Sequence, residues 1–174
     1  MYVRLILPAL TEALAPGYRS IKYALFPPLG LATLAGYLDA SDRVVIEDEH
    51  VEPVDLVETD LPDLVAIQVY ITSARRAYEI ADHYRGLGVH VALGGLHVTS
   101  LPDEAAQHAD TILLGPGEDI WPAFLADLRA GRPARVYRSR VRTLEGAPPP
   151  RRDLLRRDRY LVPNSIVVSR GCPH

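Results

Sequence analysis

The sequence predicts an α/β protein of the doubly wound, flavodoxin-like and Rossmann-like type. Five mainly parallel strands in the order 2-1-3-4-5 are expected, followed by a C-terminal connector. Three observations carry this. Five short apolar runs rich in β-branched residues read as strands buried on both faces. Helical spacing recurs between several of them. Strand and helix alternate closely enough for parallel strands joined by right-handed crossovers. The 174 residues, 48% hydrophobic and 24% charged, suffice for one domain with room for a fragment of a second.

The strands are expected at 2–7 (YVRLIL), 43–47 (RVVIE), 64–69 (LVAIQV), 89–93 (VHVAL) and 110–114 (DTILL). Leu31, Leu34, Ala35 and Leu38 share one helix face, as do Ala74, Ala77, Tyr78 and Ala81, and Trp121, Phe124, Leu125 and Leu128. Ser100, with Pro102 and Asp103 after it, reads as the capped start of a further short helix. Residues 51–63 hold two prolines and read as an irregular crossover. In such a sheet, ligands bind outside the carboxyl ends of the strands at the switch point. The loops that begin at Pro8, Asp48, Tyr70, Gly94 and Gly115 therefore define the candidate site.

Composition narrows the function classes. One cysteine excludes a disulfide framework and a self-contained thiolate zinc site. No run approaches the roughly 20 apolar residues of a membrane span, and the N-terminal apolar stretch is too short for a signal peptide. A cytoplasmic protein is the expectation. Residues 1–131 carry 8 basic and 19 acidic side chains, whereas 132–174 carry 11 arginines and 3 acids. That shift marks an expected boundary near Gly131, with an α/β domain at 1–131, a basic linker at 132–163 and the start of a further domain at 164–174. Glu145, Asp153 and Asp158 interrupt the basic stretch, which favours a connector over a nucleic-acid contact.

The loops exclude the common ligands of this architecture. The turn after the first strand starts Pro8-Ala9-Leu10-Thr11, with no G-x-G-x-x-G, and no P-loop occurs. The third strand ends Gln68-Val69-Tyr70-Ile71-Thr72, without a phosphoacceptor aspartate. What remains is glycine-rich: Gly94-Gly95-Leu96-His97-Val98-Thr99 after strand four and Gly115-Pro116-Gly117-Glu118 after strand five. Adjacent glycines let backbone approach a large ligand or make a tight turn. Thr72 and Ser73 are expected to face the same crevice with their hydroxyls, beside Tyr70. A wide cleft with few charges suits a bulky cofactor better than a small anion.

Together with Phe26-Pro27-Pro28-Leu29-Gly30-Leu31 and Glu47-Asp48-Glu49-His50-Val51, these loops resemble the N-terminal cobalamin-binding domain of cobalamin-dependent radical S-adenosylmethionine enzymes. The resemblance covers nearly the whole chain and rests on the order and strand-end placement of the motifs. At the C-terminus, Ser165-Ile166-Val167-Val168-Ser169-Arg170-Gly171-Cys172-Pro173-His174 looks like the opening strand of the radical S-adenosylmethionine barrel. In that family the strand runs into C-x-x-x-C-x-x-C, three thiolates that hold a 4Fe–4S cluster. The resemblance makes Cys172 the first ligand and the chain truncated there; one cysteine does not hold the cluster.

The resemblance implies cobalamin contacts from Asp48, His50, Tyr70, Thr72, Ser73, Gly94, Gly95, His97, Val98, Gly115, Gly117 and Glu118. Cobalamin domains of mutases carry D-x-H-x-x-G, whose histidine ligates cobalt; here Asp48 and His50 match and Pro53 stands at the glycine position. His50 is read as a cobalt ligand, a cofactor contact or a solvated loop residue. His97 is read as a contact to the corrin or as a partner for loop backbone, and Glu118 as a carboxylate flanking a helix start. Tyr18, Tyr23 and Phe26 would cover the cofactor or pack on the absent barrel, and His83, His90 and His108 are assigned no role. The function implied is the cobalamin-binding part of a radical methyltransferase acting on an unactivated carbon, this fragment alone being non-catalytic. The alternative is a docking domain that has lost cobalamin.

Overall fold

The protein is described by a computed structural model, covering residues 1–10, 24–57, 60–141 and 143–167. Its elements run β1 Tyr2–Leu7, α1 Leu29–Ala35, β2 Arg43–Asp48, β3 Leu64–Gln68, α2 Ala74–Gly86, β4 His90–Gly94, α3 Leu96–Ser100, α4 Pro102–Ala105, β5 Thr111–Leu114, α5 Gly117–Arg129 and β6 Val136–Arg138. All six strands are parallel, in the order β2-β1-β3-β4-β5-β6. The five expected strands are present in the expected order. The sixth is a correction: Val136–Arg138 pairs with β5 through Ile112↔Val136 and Leu114↔Arg138. Its three residues, two of them exposed, are too short and too polar to read as a strand. Residues 96–100, read as loop, form the short helix α3.

Strand parity divides the core. Val3, Leu5, Leu64, Ala66, Ala92 and Leu113 face α1 and α5, where Trp121 and Phe124 are fully buried. Ile6, Val65, Ile67, Val91, Leu93, Ile112 and Leu114 face α2, with Ala77, Ile80, Ala81 and Tyr84. Trp121 fixes the first side, because its indole N–H donates to the Leu34 carbonyl at 3.1 Å. Arg4 is 2% exposed, and its guanidinium is paired with Glu47 and Tyr84, as a buried charge requires.

The basic stretch expected as a connector lies largely against this body. Beyond β6, Leu155 is buried with Leu29 and Ala32, and Arg151 N–H donates to Ala32 O at 2.8 Å. A Cβ at Gly36 would sit 2.9 Å from Pro148 and from the Pro149 carbonyl, so a glycine lets the triproline segment cross α1. Ala24 and Tyr160 form an isolated parallel bridge. The arginines here bond within the chain: Arg156 to Glu52 at 2.7 Å, Arg151 to Asp153 at 2.7 Å and Arg152 to the Ser165 carbonyl at 2.6 Å.

His90, at the start of β4, gives a pH test of this packing. It lies half-buried, 3.1 Å from Thr111 Oγ1 and near the Phe124 ring, and burial lowers its pKa below the ordinary 6.5. Above pH 6.5 both folded and unfolded forms are neutral there. Below it the unfolded chain takes up a proton that the folded chain resists, so stability falls with pH until His90 titrates in the folded state. An NMR titration is expected to place its midpoint below 6.5; a midpoint above that value would contradict the packing.

Candidate cofactor-binding crevice

In an all-parallel sheet every carboxyl end opens on the same edge. The chain leaves β1 to form β2 on one side and returns to form β3 on the other, so the loops diverge between β1 and β3. Exposed apolar side chains gather at the adjacent ends of β1, β3 and β4: Leu10, Tyr70, Ile71 and Leu96, with Ile71 77% and Leu96 70% exposed. Phe26, before α1, is also exposed. Gly30 sets the start of α1 beside the end of β3, its Cβ position 3.6 Å from Gln68 Oε1. Gln68 in turn donates to the Tyr70 hydroxyl at 2.8 Å. Such a rim suits a large ligand with apolar edges.

The loop after β2 is the polar part of the site. Asp48 ends β2 opposite Leu7 and is 6% exposed. Its Oδ1 accepts from His50 N–H at 3.0 Å and lies 2.8 Å from His50 Nδ1, while its Oδ2 accepts from the Tyr160 hydroxyl at 3.0 Å. The His50 ring is about one-third exposed. The hydrogen bond that His50 donates to Asp48 raises the His50 pKa above 6.5, outweighing burial. Holding Nδ1 on a carboxylate fixes the ring and leaves Nε2 as the outward nitrogen, an arrangement characteristic of metal-binding histidines.

Three residues here were not identified from the sequence. The Glu49 side chain is buried, accepts from Ala9 N–H at 3.1 Å and pairs with Arg76 of α2 at 2.7 Å, tying the loops after β1 and β2 to α2. Tyr160 reaches Asp48 across 112 positions of sequence. The acidic run Glu47-Asp48-Glu49 was the available signal for Glu49; Arg76 and Tyr160 had none, because their partners are distant in sequence.

The glycine loops are explained first by backbone crossings. Gly95 has φ +109°, and a Cβ there would meet Val69 O at 2.7 Å and Val69 N at 3.0 Å. Val69 N–H donates to Gly94 O at 2.7 Å and His97 N–H to Val69 O at 3.2 Å, stitching the β4 turn to the end of β3. At Gly115, φ +87°, a Cβ would meet Ser139 O at 2.4 Å. Gly117 lets α5 approach Leu34 of α1 at 3.4 Å, and Gly94 meets only Leu113 at 3.4 Å.

Several expected contacts are spent inside the protein. Val98 is a fully buried core residue. Ser73 is 2% exposed and its hydroxyl lies 3.4 Å from the Tyr70 carbonyl, so it does not join Thr72, which is exposed, in facing the crevice. The buried His97 ring lies 3.1 Å from the Tyr78 hydroxyl and 3.2 Å from Glu104. Glu118 stands in the first turn of α5. Cys172, Tyr18 and Tyr23 lie outside the described residues. Among the described residues no three His, Cys, Asp or Glu side chains converge as a metal site, and no helix is long and apolar enough to cross a membrane.

With this crevice in view, comparison with known proteins is decisive at the level of family. The B12 binding domain family matches residues 23–125. The chain belongs to the B12-binding domain family. This B12-binding domain is 36% identical over 154 residues to an uncharacterized methyltransferase of Synechocystis, covering 87% of this chain and 28% of that protein. It is 36% identical over 112 residues to the bacteriochlorophyllide d C-8(2)-methyltransferase of Chlorobaculum tepidum, covering 64% of this chain and 25% of that protein. The bacteriochlorophyllide d C-12(1)-methyltransferase of the same organism is 29% identical over 159 residues, covering 86% of the chain and 34% of that protein. The B12-binding domain thus spans about a quarter to a third of these relatives' lengths.

The crevice is consistent with a corrinoid. A corrin supplies its own equatorial nitrogens to cobalt, so the protein needs no convergent ligand cluster. What it would need is apolar surface for the macrocycle and, optionally, one further nitrogen donor. Leu10, Tyr70, Ile71 and Leu96 provide the first, and His50 Nε2 is available for the second.

Proposed function

We propose that this chain is the cobalamin-binding part of a radical S-adenosylmethionine methyltransferase that acts on an unactivated carbon. The observation that carries the proposal is the set of exposed apolar side chains following β1, β3 and β4, with the Asp48–His50 pair after β2, in a chain of the B12-binding family. The names of the relatives support methyl transfer. The single Cys172 does not by itself fit a 4Fe–4S cluster; on this proposal the cluster and S-adenosylmethionine belong to the remainder of a longer protein.

When bound, methylcobalamin supplies a methyl group for transfer to carbon. The work of this chain is to seat and orient. The rim residues would exclude water from one edge of a bound macrocycle. His50, held through Nδ1 by Asp48, would offer Nε2 to the cobalt of a bound corrinoid, and Asp48 would keep the ring in that tautomer. Tyr160 holds the second Asp48 oxygen and so fixes the carboxylate from the opposite side.

Mixing the purified protein with hydroxocobalamin and desalting it is expected to leave close to one cofactor per chain. His50→Ala is expected to retain the cofactor more weakly and to shift its visible spectrum. An unchanged spectrum would remove His50 as a ligand, and absence of retention by the full-length, cluster-loaded protein would overturn the reading as a whole.

A further inference from the structure

The sheet ends at β6, and among the described residues no strand lies on its outer side. The ladder shows which backbone groups face that side. Ile112 N–H donates to Arg135 O at 2.9 Å and Ser139 N–H to Leu114 O at 2.8 Å, in a parallel register of Ile112↔Val136 and Leu114↔Arg138. Residues 135, 137 and 139 therefore bond to β5. The N–H and C=O groups of Val136 and Arg138 point the other way, as a row open to a further strand.

That edge is held from behind. The Tyr137 ring packs on Phe124, 5.5 Å between centroids, and its hydroxyl donates to Asp127 at 2.7 Å. The same hydroxyl accepts from Ala134 N–H at 2.9 Å, just before the strand begins. At the other end, the Gly115 turn lies so close to the Ser139 carbonyl that no Cβ fits between them. Ser139 is buried, and its hydroxyl accepts from Val141 N–H at 3.0 Å, which sets the direction of the chain at Arg140. A strand already fixed in this way loses little further freedom when another pairs with it.

The side chains along the edge define what pairs with it. Val136 is 46% exposed. Arg138 and Arg140 are exposed and line one crevice at the β5–β6 end with Thr99, Gly115 and Pro116, so both fall on the same side of the chain. Neither guanidinium has a hydrogen-bond or ion-pair partner among the described residues, whereas Arg135 donates to Ala106 O at 2.8 Å. Residues 132–144 hold five arginines and no acidic side chain. Two copies of the chain paired edge to edge would set one arginine row against the other, and like charges on facing strands oppose that. A strand with carboxylates at alternate positions presents them all on one face, where they meet Arg138 and Arg140. We propose that the open edge of β6 docks an extended acidic segment of a partner protein, added to the sheet as a seventh strand. Main-chain hydrogen bonds to Val136 and Arg138 hold it, and the arginines select its charge. The proposal is independent of the cobalamin reading.

The probe is a fluorescein-labelled peptide of about eight residues in which glutamate and threonine alternate, titrated against the purified chain by anisotropy. Saturable binding is expected, weaker by about tenfold or more when lysine replaces glutamate. Two further peptides keep the charges but carry backbone N-methyl groups, on the glutamates in one and on the threonines in the other. Only every second peptide N–H faces β6, so one of the two is expected to lose about tenfold in affinity and the other little. Hydrogen exchange at Val136 and Arg138 N–H is expected to slow in the complex. Val136→Pro removes one outward donor and leaves the β5 ladder whole, so it should weaken binding about tenfold with an unfolding midpoint near that of the wild type. Should that variant unfold, the methylated peptides and the exchange rates decide on the wild type. Equal affinity of the two methylated peptides, or unchanged exchange, would show attraction of charge without strand pairing and overturn the proposal. So would equal binding of the lysine peptide, or tighter binding of a single-stranded DNA that displaces the glutamate peptide. Absence of binding by every peptide also overturns it and leaves the arginines as guards against edge-to-edge pairing.

Discussion

Asp48→Ala is expected to lower folding stability by about 3 kcal/mol and to weaken corrinoid binding by about one to two orders of magnitude. The carboxylate is 6% exposed and serves three groups: His50 N–H, His50 Nδ1 and the Tyr160 hydroxyl. Alanine leaves the buried Tyr160 hydroxyl without its acceptor, a loss of about 1–3 kcal/mol, and releases the His50 ring. Asp48→Asn keeps the shape and one acceptor oxygen, so its stability loss should be about half as large. Because the amide does not hold the imidazole as the carboxylate does, the spectrum of bound cobalamin should move in the direction seen for His50→Ala. Urea unfolding of the apo chain reads the first effect, and cobalamin titration the second. Wild-type stability for Asp48→Ala would show that the three hydrogen bonds contribute no net energy. A wild-type spectrum for Asp48→Asn would separate the pair from the cofactor.

Gly95→Ala is expected to destabilise the domain by about 3 kcal/mol, and Gly94→Ala by less than about 1 kcal/mol. The adjacent glycines look equivalent in sequence, yet only Gly95 has a positive φ, +109°, and only its Cβ would press on the Val69 backbone, at 2.7 Å. A Cβ at Gly94 would make only ordinary van der Waals contact with Leu113, at 3.4 Å. Gly94→Val is therefore the variant for cofactor binding, since Gly95→Val would report on folding. Near wild-type stability for Gly95→Ala would mean that the turn does not cross the end of β3 as described.

The fold was legible because parallel strands buried on both faces leave a local record. Tyr2–Leu7, Leu64–Gln68 and Thr111–Leu114 are short, apolar and β-branched, and Trp121, Phe124 and Leu125 mark a buried helix face. Val136–Arg138 left no such record: it is an edge strand, defined by pairing with β5 and not by burial. The candidate site was legible in part. Strand-end placement singled out Asp48, His50 and Tyr70, but side-chain direction is not encoded by position in a loop. His97 turns inward to Tyr78 and Glu104, Val98 enters the core and Ser73 is buried, although all three follow strand ends.

By itself the sequence determined the α/β class and, through crossover rules, the order of the first five strands, and it named the loops of the candidate site; hydrophobic pattern and turn chemistry over a few residues place each strand and loop. The tertiary structure decided which partners those loops meet. Tyr160 reaching Asp48, Arg76 reaching Glu49, and Arg138 and Arg140 gathered at the β5–β6 crevice are meetings between segments far apart in the chain. Local pattern records whether a residue is to be buried; only the closed fold sets which distant group it is buried against.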